Sequence, residues 1–131
     1  MLKKGQITIE FLLGLIGILS LLIISIQVYS VKNFQLQDIQ EFYDSKHASL
    51  DLGRNLNGIY LAGNGASGEF YLQKVKDANV SISAGKVQII TRNQTAETVI
   101  IARTITVNST LTTGSRIRIQ NINNGLVIGL A

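Results

Sequence analysis

The sequence predicts an α+β fold: a long N-terminal helix, with a small antiparallel β-sheet head packed on its distal half. Three observations lead there. Phe11 to Val31 carries no charged residue, and a helix of that length spans about 31 Å, the thickness of a bilayer's hydrocarbon core. Beyond it, apolar residues recur mostly at three- and four-residue steps as far as Tyr60, the spacing of an amphipathic helix. From Gly68 onward the period changes to two, with glycine and asparagine between the short runs, the pattern of strands and tight turns.

The first helical segment, residues 6–31, reads as a hydrophobic transmembrane helix. Lys3 and Lys4 stand before it, and the positive-inside rule places that end in the cytoplasm. Glu10 lies at the start of the run, where a carboxylate is costly in lipid and by default signals a function. Gly14 and Gly17 either let neighbouring helices approach closely or reflect the frequency of glycine in membrane helices.

Residues 32–63 read as an amphipathic continuation. Phe34, Ile39, Phe42, Tyr43, Leu50, Leu56, Ile59 and Tyr60 form the expected dry stripe, with Asp38, Glu41, Asp44, Lys46 and Asp51 between them. Gly53 and Gly58 each cost about 1 kcal/mol against alanine in a helix but permit close packing. Gly63-Asn64-Gly65 supplies residues that tolerate the left-handed conformation and stop a helix. The expected helix is about 55 residues and ~80 Å long. A globular domain of this size does not need such a helix; a filament does.

The head, residues 64–131, is expected to hold five to seven short antiparallel strands. Phe70-Tyr71-Leu72 with Val75 makes the first. Val80 to Ser83 and Val87 to Ile89 alternate around Ala84-Gly85-Lys86 as a hairpin, and Val99 to Ile101 and Ile105 to Val107 flank Arg103. Ile117 to Ile119 faces Leu126 to Ile128, with Asn124-Gly125 as the expected two-residue turn, because both residues tolerate positive φ. Alternation of this kind belongs to sheets with one wet face.

Composition limits the function classes. With the helix set aside, roughly 65 residues remain, near the lower limit for an independent core, so help from the helix is expected. The 131 residues include no cysteine, which excludes a disulfide frame and a thiolate metal site. Net charge is +4, but without Lys3 and Lys4 ten basic side chains face eight acidic ones. That balance argues against a nucleic-acid partner; Arg116 and Arg118 lie at i, i+2 on one face of a strand, where solvated arginines are common.

Lys3-Lys4-Gly5-Gln6, followed by Glu10 and the apolar run, resembles the class III signal peptide of archaeal type IV pilins. In that family a short basic leader ends in glycine and the mature chain begins with glutamine. The resemblance implies that residues 1–5 are a leader removed by a prepilin peptidase, which cuts between Gly5 and Gln6. Lys3, Lys4 and Glu10 would serve in leader recognition. It further implies pairing of the new α-ammonium of Gln6 with Glu10 of the same or an adjacent subunit, fixing filament register. Glu10 favours pilin over the related archaellins, which usually lack it.

The long helix with a β-rich head, and the junction Ile59 to Ala66, are similar to adhesion-type pilins of that family over the whole chain, in the head by pattern alone. The implied function is that of a structural subunit. A membrane-inserted precursor, handled by the peptidase and the pilus assembly machinery, polymerises with copies of itself into an extracellular cell-surface filament for adhesion. The alternatives are a membrane-anchored surface binding module that never polymerises, and a minor pilin. A cleaved secretory signal fits worse, because the uncharged stretch exceeds the usual apolar core and no Ala-x-Ala site follows it.

No enzyme, cofactor or metal site is expected. His47 is the only histidine and has no candidate elbow or orienting acid nearby in sequence. Asp38, Glu41 and Asp44 recur at i, i+3 on a helix face expected to be wet. Gly63 to Gly68 matches GxGxxG in letters, but it follows a helix and precedes a strand, the reverse of a phosphate loop. Three Asn-x-Ser/Thr triplets, at Asn79, Asn93 and Asn108, fall in the head and none in the helix, making those asparagines candidate N-glycosylation sites.

Overall fold

The computed structural model describes the backbone of residues 2–131 and the side chains of residues 8–131. Among the described residues there are one helix, α1 (Leu2–Leu61), and seven strands: β1 (Ser67–Tyr71), β2 (Asn79–Ser83), β3 (Lys86–Ile90), β4 (Thr95–Val99), β5 (Ile105–Val107), β6 (Arg116–Ile122) and β7 (Gly125–Leu130). The fold is α+β, as expected. The chain divides into two compact units, Met1–Gln37 and Asp38–Ala131, with the division inside α1 itself.

The first unit is helix alone. Every described side chain from Thr8 to Gln37 is exposed, including Phe11 at 69% and Leu21 at 66%. Two serine hydroxyls in the run turn inward on their own helix: Ser20 Oγ donates to the Ile16 carbonyl and Ser25 Oγ to the Leu21 carbonyl, both at 2.8 Å. Such bonds spare a lipid-facing helix unpaired polar groups.

In the second unit residues 38–61 of α1 share one core with two sheets, ordered β1-β6-β7-β5 and β2-β3-β4. Leu52 and Leu56 of α1 pack with Val87 of β3, Ile117 and Ile119 of β6, and Leu126 and Ile128 of β7; all are at most 1% exposed. Each such side chain contributes about 1.5–3 kcal/mol on burial. A smaller cluster joins Ala48, Val75 and Ile89.

The helix surface facing this core differs from the stripe expected. Leu56 is buried and Leu50, Ile59 and Tyr60 are half-buried, but Phe34, Ile39, Phe42 and Tyr43 are exposed. The contact face is instead Ser45, Ala48, Ser49, Leu52, Gly53 and Leu56. Small residues serve there because β4 comes close: a Cβ on Gly53 would stand 2.7 Å from Thr98 Cγ2, and Ser49 Oγ shares a 2.9 Å hydrogen bond with Thr98 Oγ1. Gly58 meets open space. Asp38, Glu41 and Asp44, expected on a wet face, are half-buried at the margin of this contact.

Helix termination follows the expected residues. Gly63 and Gly65 have φ of 91° and 90°, and the Gly63 N–H donates to the Tyr60 carbonyl at 3.2 Å. Strand bounds shift in several places. Leu72, Val75 and Ile100 are buried but lie outside β1 and β4. The β6–β7 turn is Asn123-Asn124, with φ of 50° and 60°, one residue earlier than predicted. Gly125 instead opens β7, opposite Ile122, where a Cβ would come within 3.3 Å of Thr104 Cγ2. The turn at Ala84-Gly85 joins β2 to β3 as expected. Four of the five strand pairs among the described residues are antiparallel; β5 runs parallel to β7, because the β6–β7 hairpin places its second arm between β6 and β5.

Candidate functional site

The first candidate site is the exposed apolar surface of residues 8–37. Among the described residues one helix is long and apolar enough to cross a membrane, and none of its apolar window is buried. A core helix of a water-soluble domain would bury such a window. Apolar surface this extensive marks an interaction with lipid or protein. Glu10 sits at its start, exposed, and makes no ion pair among the described residues. The cleavage pair Gly5 and Gln6, and Lys3 and Lys4, lie outside the residues whose side chains are described, and so does the pairing of Gln6 with Glu10. Near the other end of the run Tyr29 is 74% exposed, and Lys32 follows it. An aromatic and a cation in succession suit the water–lipid boundary. Gly14 and Gly17 meet nothing within 4 Å in their own chain.

The surface of the second unit carries the remaining candidates. Asn79 lies on β2, Asn93 in the turn between β3 and β4, and Asn108 directly after β5; all three are exposed, as are the hydroxyl residues Ser81, Thr95 and Thr110 of their triplets. His47 is exposed on α1. Gly63 to Ala66 forms the turn into β1, where Ser67 and Gly68 already lie, with the Gly65 N–H donating to the Asn121 carbonyl at 2.8 Å. No group of three metal-ligating side chains occurs among the described residues.

From Gly63 onward the only acids are Glu69, Asp77 and Glu97, and each has a cation. Glu69 pairs with Arg118, Asp77 with Arg92 at 3.5 Å and Glu97 with Lys86 at 3.6 Å. A 2.8 Å hydrogen bond from Gln88 Nε2, together with the Lys86 ammonium, holds the Glu97 carboxyl below the ordinary range. Lys74, Lys76, Arg103 and Arg116 make no ion pair among the described residues, so the surface has surplus positive charge.

Sequence reasoning missed Asn121. Its side chain is 1% exposed on the core face of β6, and Nδ2 donates to the carbonyls of Ile59 at 3.3 Å and Tyr60 at 3.0 Å. Both carbonyls lie in the last turn of the helix, where no further helical N–H follows to pair them; the Tyr60 carbonyl also accepts from the Gly63 N–H. The available signal was a polar residue at an inward position, two after Ile119 in strict alternation.

Comparison with protein-family models, curated proteins and solved structures finds no match.

Proposed function

We propose that the protein is a structural subunit of an archaeal type IV pilus, which polymerises through its N-terminal helix into an adhesive cell-surface filament. The observation that carries this reading is an apolar helical surface, exposed from residue 8 to residue 37, with a carboxylate at its start. Lipid covers that surface in the precursor and neighbouring helices cover it in the filament; Leu, Ile and Phe suit both surroundings. A plain anchor accounts for the apolar run but not for Glu10, which it would hold in lipid to no purpose. In the filament, Glu10 has a purpose: it meets the α-ammonium released at Gln6, and any slip in register leaves a charge unpaired. Residues 38–131, with their own core, form the displayed unit.

The test is the mature N-terminus together with the location of the chain. Mass spectrometry of surface material should give a chain beginning at Gln6, and antibody to residues 64–131 should label filaments many subunits long. A mature start near Val31, or diffuse membrane label, refutes the proposal.

A further inference from the structure

In the sheet β1-β6-β7-β5, side chains alternate between the core and water. The outward side of the β1–β6 pair carries Ser67, Glu69 and Tyr71 opposite Gln120, Arg118 and Arg116, in that register. All but Gln120, which is half-buried, are exposed. Apart from the Tyr71 ring, this is a surface of charged and hydrogen-bonding groups. Two shallow depressions run along it: one of about 380 Å³ around Glu69, Arg118 and Gln120, and one of about 240 Å³ around Tyr71 and Arg116. The neighbouring position on β7 beside Arg118 is Gly129, whose missing side chain leaves the surface open.

The two arginines are in different states. Arg118 is held: its Nε donates to Glu69 Oε1 at 3.0 Å, and the pair forms an ion bridge. Arg116 has no carboxylate partner among the described residues, and Tyr71 stands directly across the ladder from it. A free guanidinium is a fork for a carboxylate or sulfate, and an exposed tyrosine offers an apolar face with a polar tip. Surplus cations on this unit draw anions toward it.

We infer that the outward face of the β1–β6 pair binds an acidic polysaccharide, with Arg116 taking an acid group and Tyr71 a sugar ring. Arg118, Glu69 and Gln120 supply fixed hydrogen-bonding groups to the next sugar, about 7 Å further along the strand. This inference rests on the adhesive part of the proposed function and names its ligand class.

The experiment uses the protein as purified from the cells that produce it, with no residues removed by design, in an uncharged detergent, so binding is read on dispersed subunits. The probes are polygalacturonate, neutral dextran and poly-L-glutamate, measured by biolayer interferometry. Polygalacturonate should bind, dextran should not, and poly-L-glutamate should bind at least tenfold more weakly. Arg116→Gln and Tyr71→Ala should each weaken polygalacturonate binding tenfold or more, while Arg103→Gln, elsewhere on the unit, should change it less than twofold. Tyr71→Leu should match Tyr71→Ala, and circular dichroism of every variant should match the parent.

Absence of polygalacturonate binding, or equal binding of poly-L-glutamate, overturns the inference. So does an Arg103→Gln loss equal to that of Arg116→Gln, which would show general charge attraction. Unchanged polysaccharide binding by Arg116→Gln and Tyr71→Ala overturns it too, and loss of filaments from cells expressing those variants would then show that a second copy occupies this face. The mature N-terminus, read on the same preparation, separates the two proposals. A chain that starts at Gln6 but does not bind refutes the polysaccharide site alone; one that binds but keeps its first five residues refutes the pilin alone.

Discussion

Replacing Asn121 with aspartate tests how the helix end is held. In the parent, the Tyr60 carbonyl accepts from both Gly63 N–H and Asn121 Nδ2, while the bond to the Ile59 carbonyl comes from Asn121. Asn121→Asp removes two donated bonds, each worth about 0.5–1.5 kcal/mol net. It also turns a carboxylate toward carbonyls at the negative end of the helix dipole, at a site only 1% exposed. Burying an unpaired charge adds a penalty of at least similar size, so the loss at neutral pH should reach about 3 kcal/mol or more. For a unit of this size, each 1 kcal/mol moves the midpoint by roughly 4–8 °C, giving a fall of at least ~12 °C. The folded state raises this carboxyl's pKa above its unfolded value of about 3.9. The variant is therefore most stable below that value and loses stability as pH rises toward the folded pKa. Calorimetry of the full chain in detergent at pH 3.5 and 7 reads both effects. A variant that melts within 2 °C of the parent at both pH values would show that Asn121 does not hold the helix end.

Gly5→Val should crowd the scissile peptide and leave unprocessed precursor in the membrane, read by mass spectrometry, with no filaments. Glu10→Gln should be exported and processed normally but give few or short filaments by electron microscopy, because the α-ammonium of Gln6 loses its partner; the melting of residues 38–131 should not change. Gly53→Val should lower stability by about 1–3 kcal/mol in calorimetry, since its side chain meets Thr98 Cγ2 at 2.7 Å from the first carbon onward. Gln88→Ala should raise the Glu97 pKa toward the ordinary value in a carboxyl NMR titration, as the 2.8 Å bond is lost. With the Glu97 pKa lowered in the folded state, the stabilisation from this cluster is present above the unfolded carboxyl pKa and lost as pH falls through the folded one.

Legibility in the sequence followed the strength of the period. The helix and its stop at Gly63 were plain, and so was the pairing of β2 with β3 and of β6 with β7, because apolar spacing and turn residues agreed there. The helix face of the second unit was misread because it is made largely of small residues: Gly53 and Ser49 pack close to β4, Ala48 packs with Val75 and Ile89, and with the buried Ser45 they carry almost no hydrophobic signal. Phe42 and Tyr43 gave a strong signal, yet both are exposed. The turn at Asn123-Asn124 was displaced by the pull of Asn-Gly, although asparagine alone tolerates positive φ at both positions. The parallel β5–β7 pair could not be read, since strand order depends on contacts distant in sequence. At the apolar site, the run and Glu10 were legible as residues; the surface of β1 and β6 was legible only as the shared face of Arg116 and Arg118.

The division of the chain at Gln37 and Asp38, inside an unbroken helix, bears on how such subunits can be recombined. A chimera joined at Gly63, where secondary structure changes, would separate Leu52 and Leu56 from the strands they pack against and replace Gly53 and Ser49 with residues unsuited to β4. A join after Gln37 keeps both hydrophobic clusters whole, since every residue in them lies between Ala48 and Ile128. The exchangeable cassette is therefore residues 38–131, helix included. A foreign β-domain joined to residues 1–37 must bring with it its own last stretch of helix, nearly seven turns here.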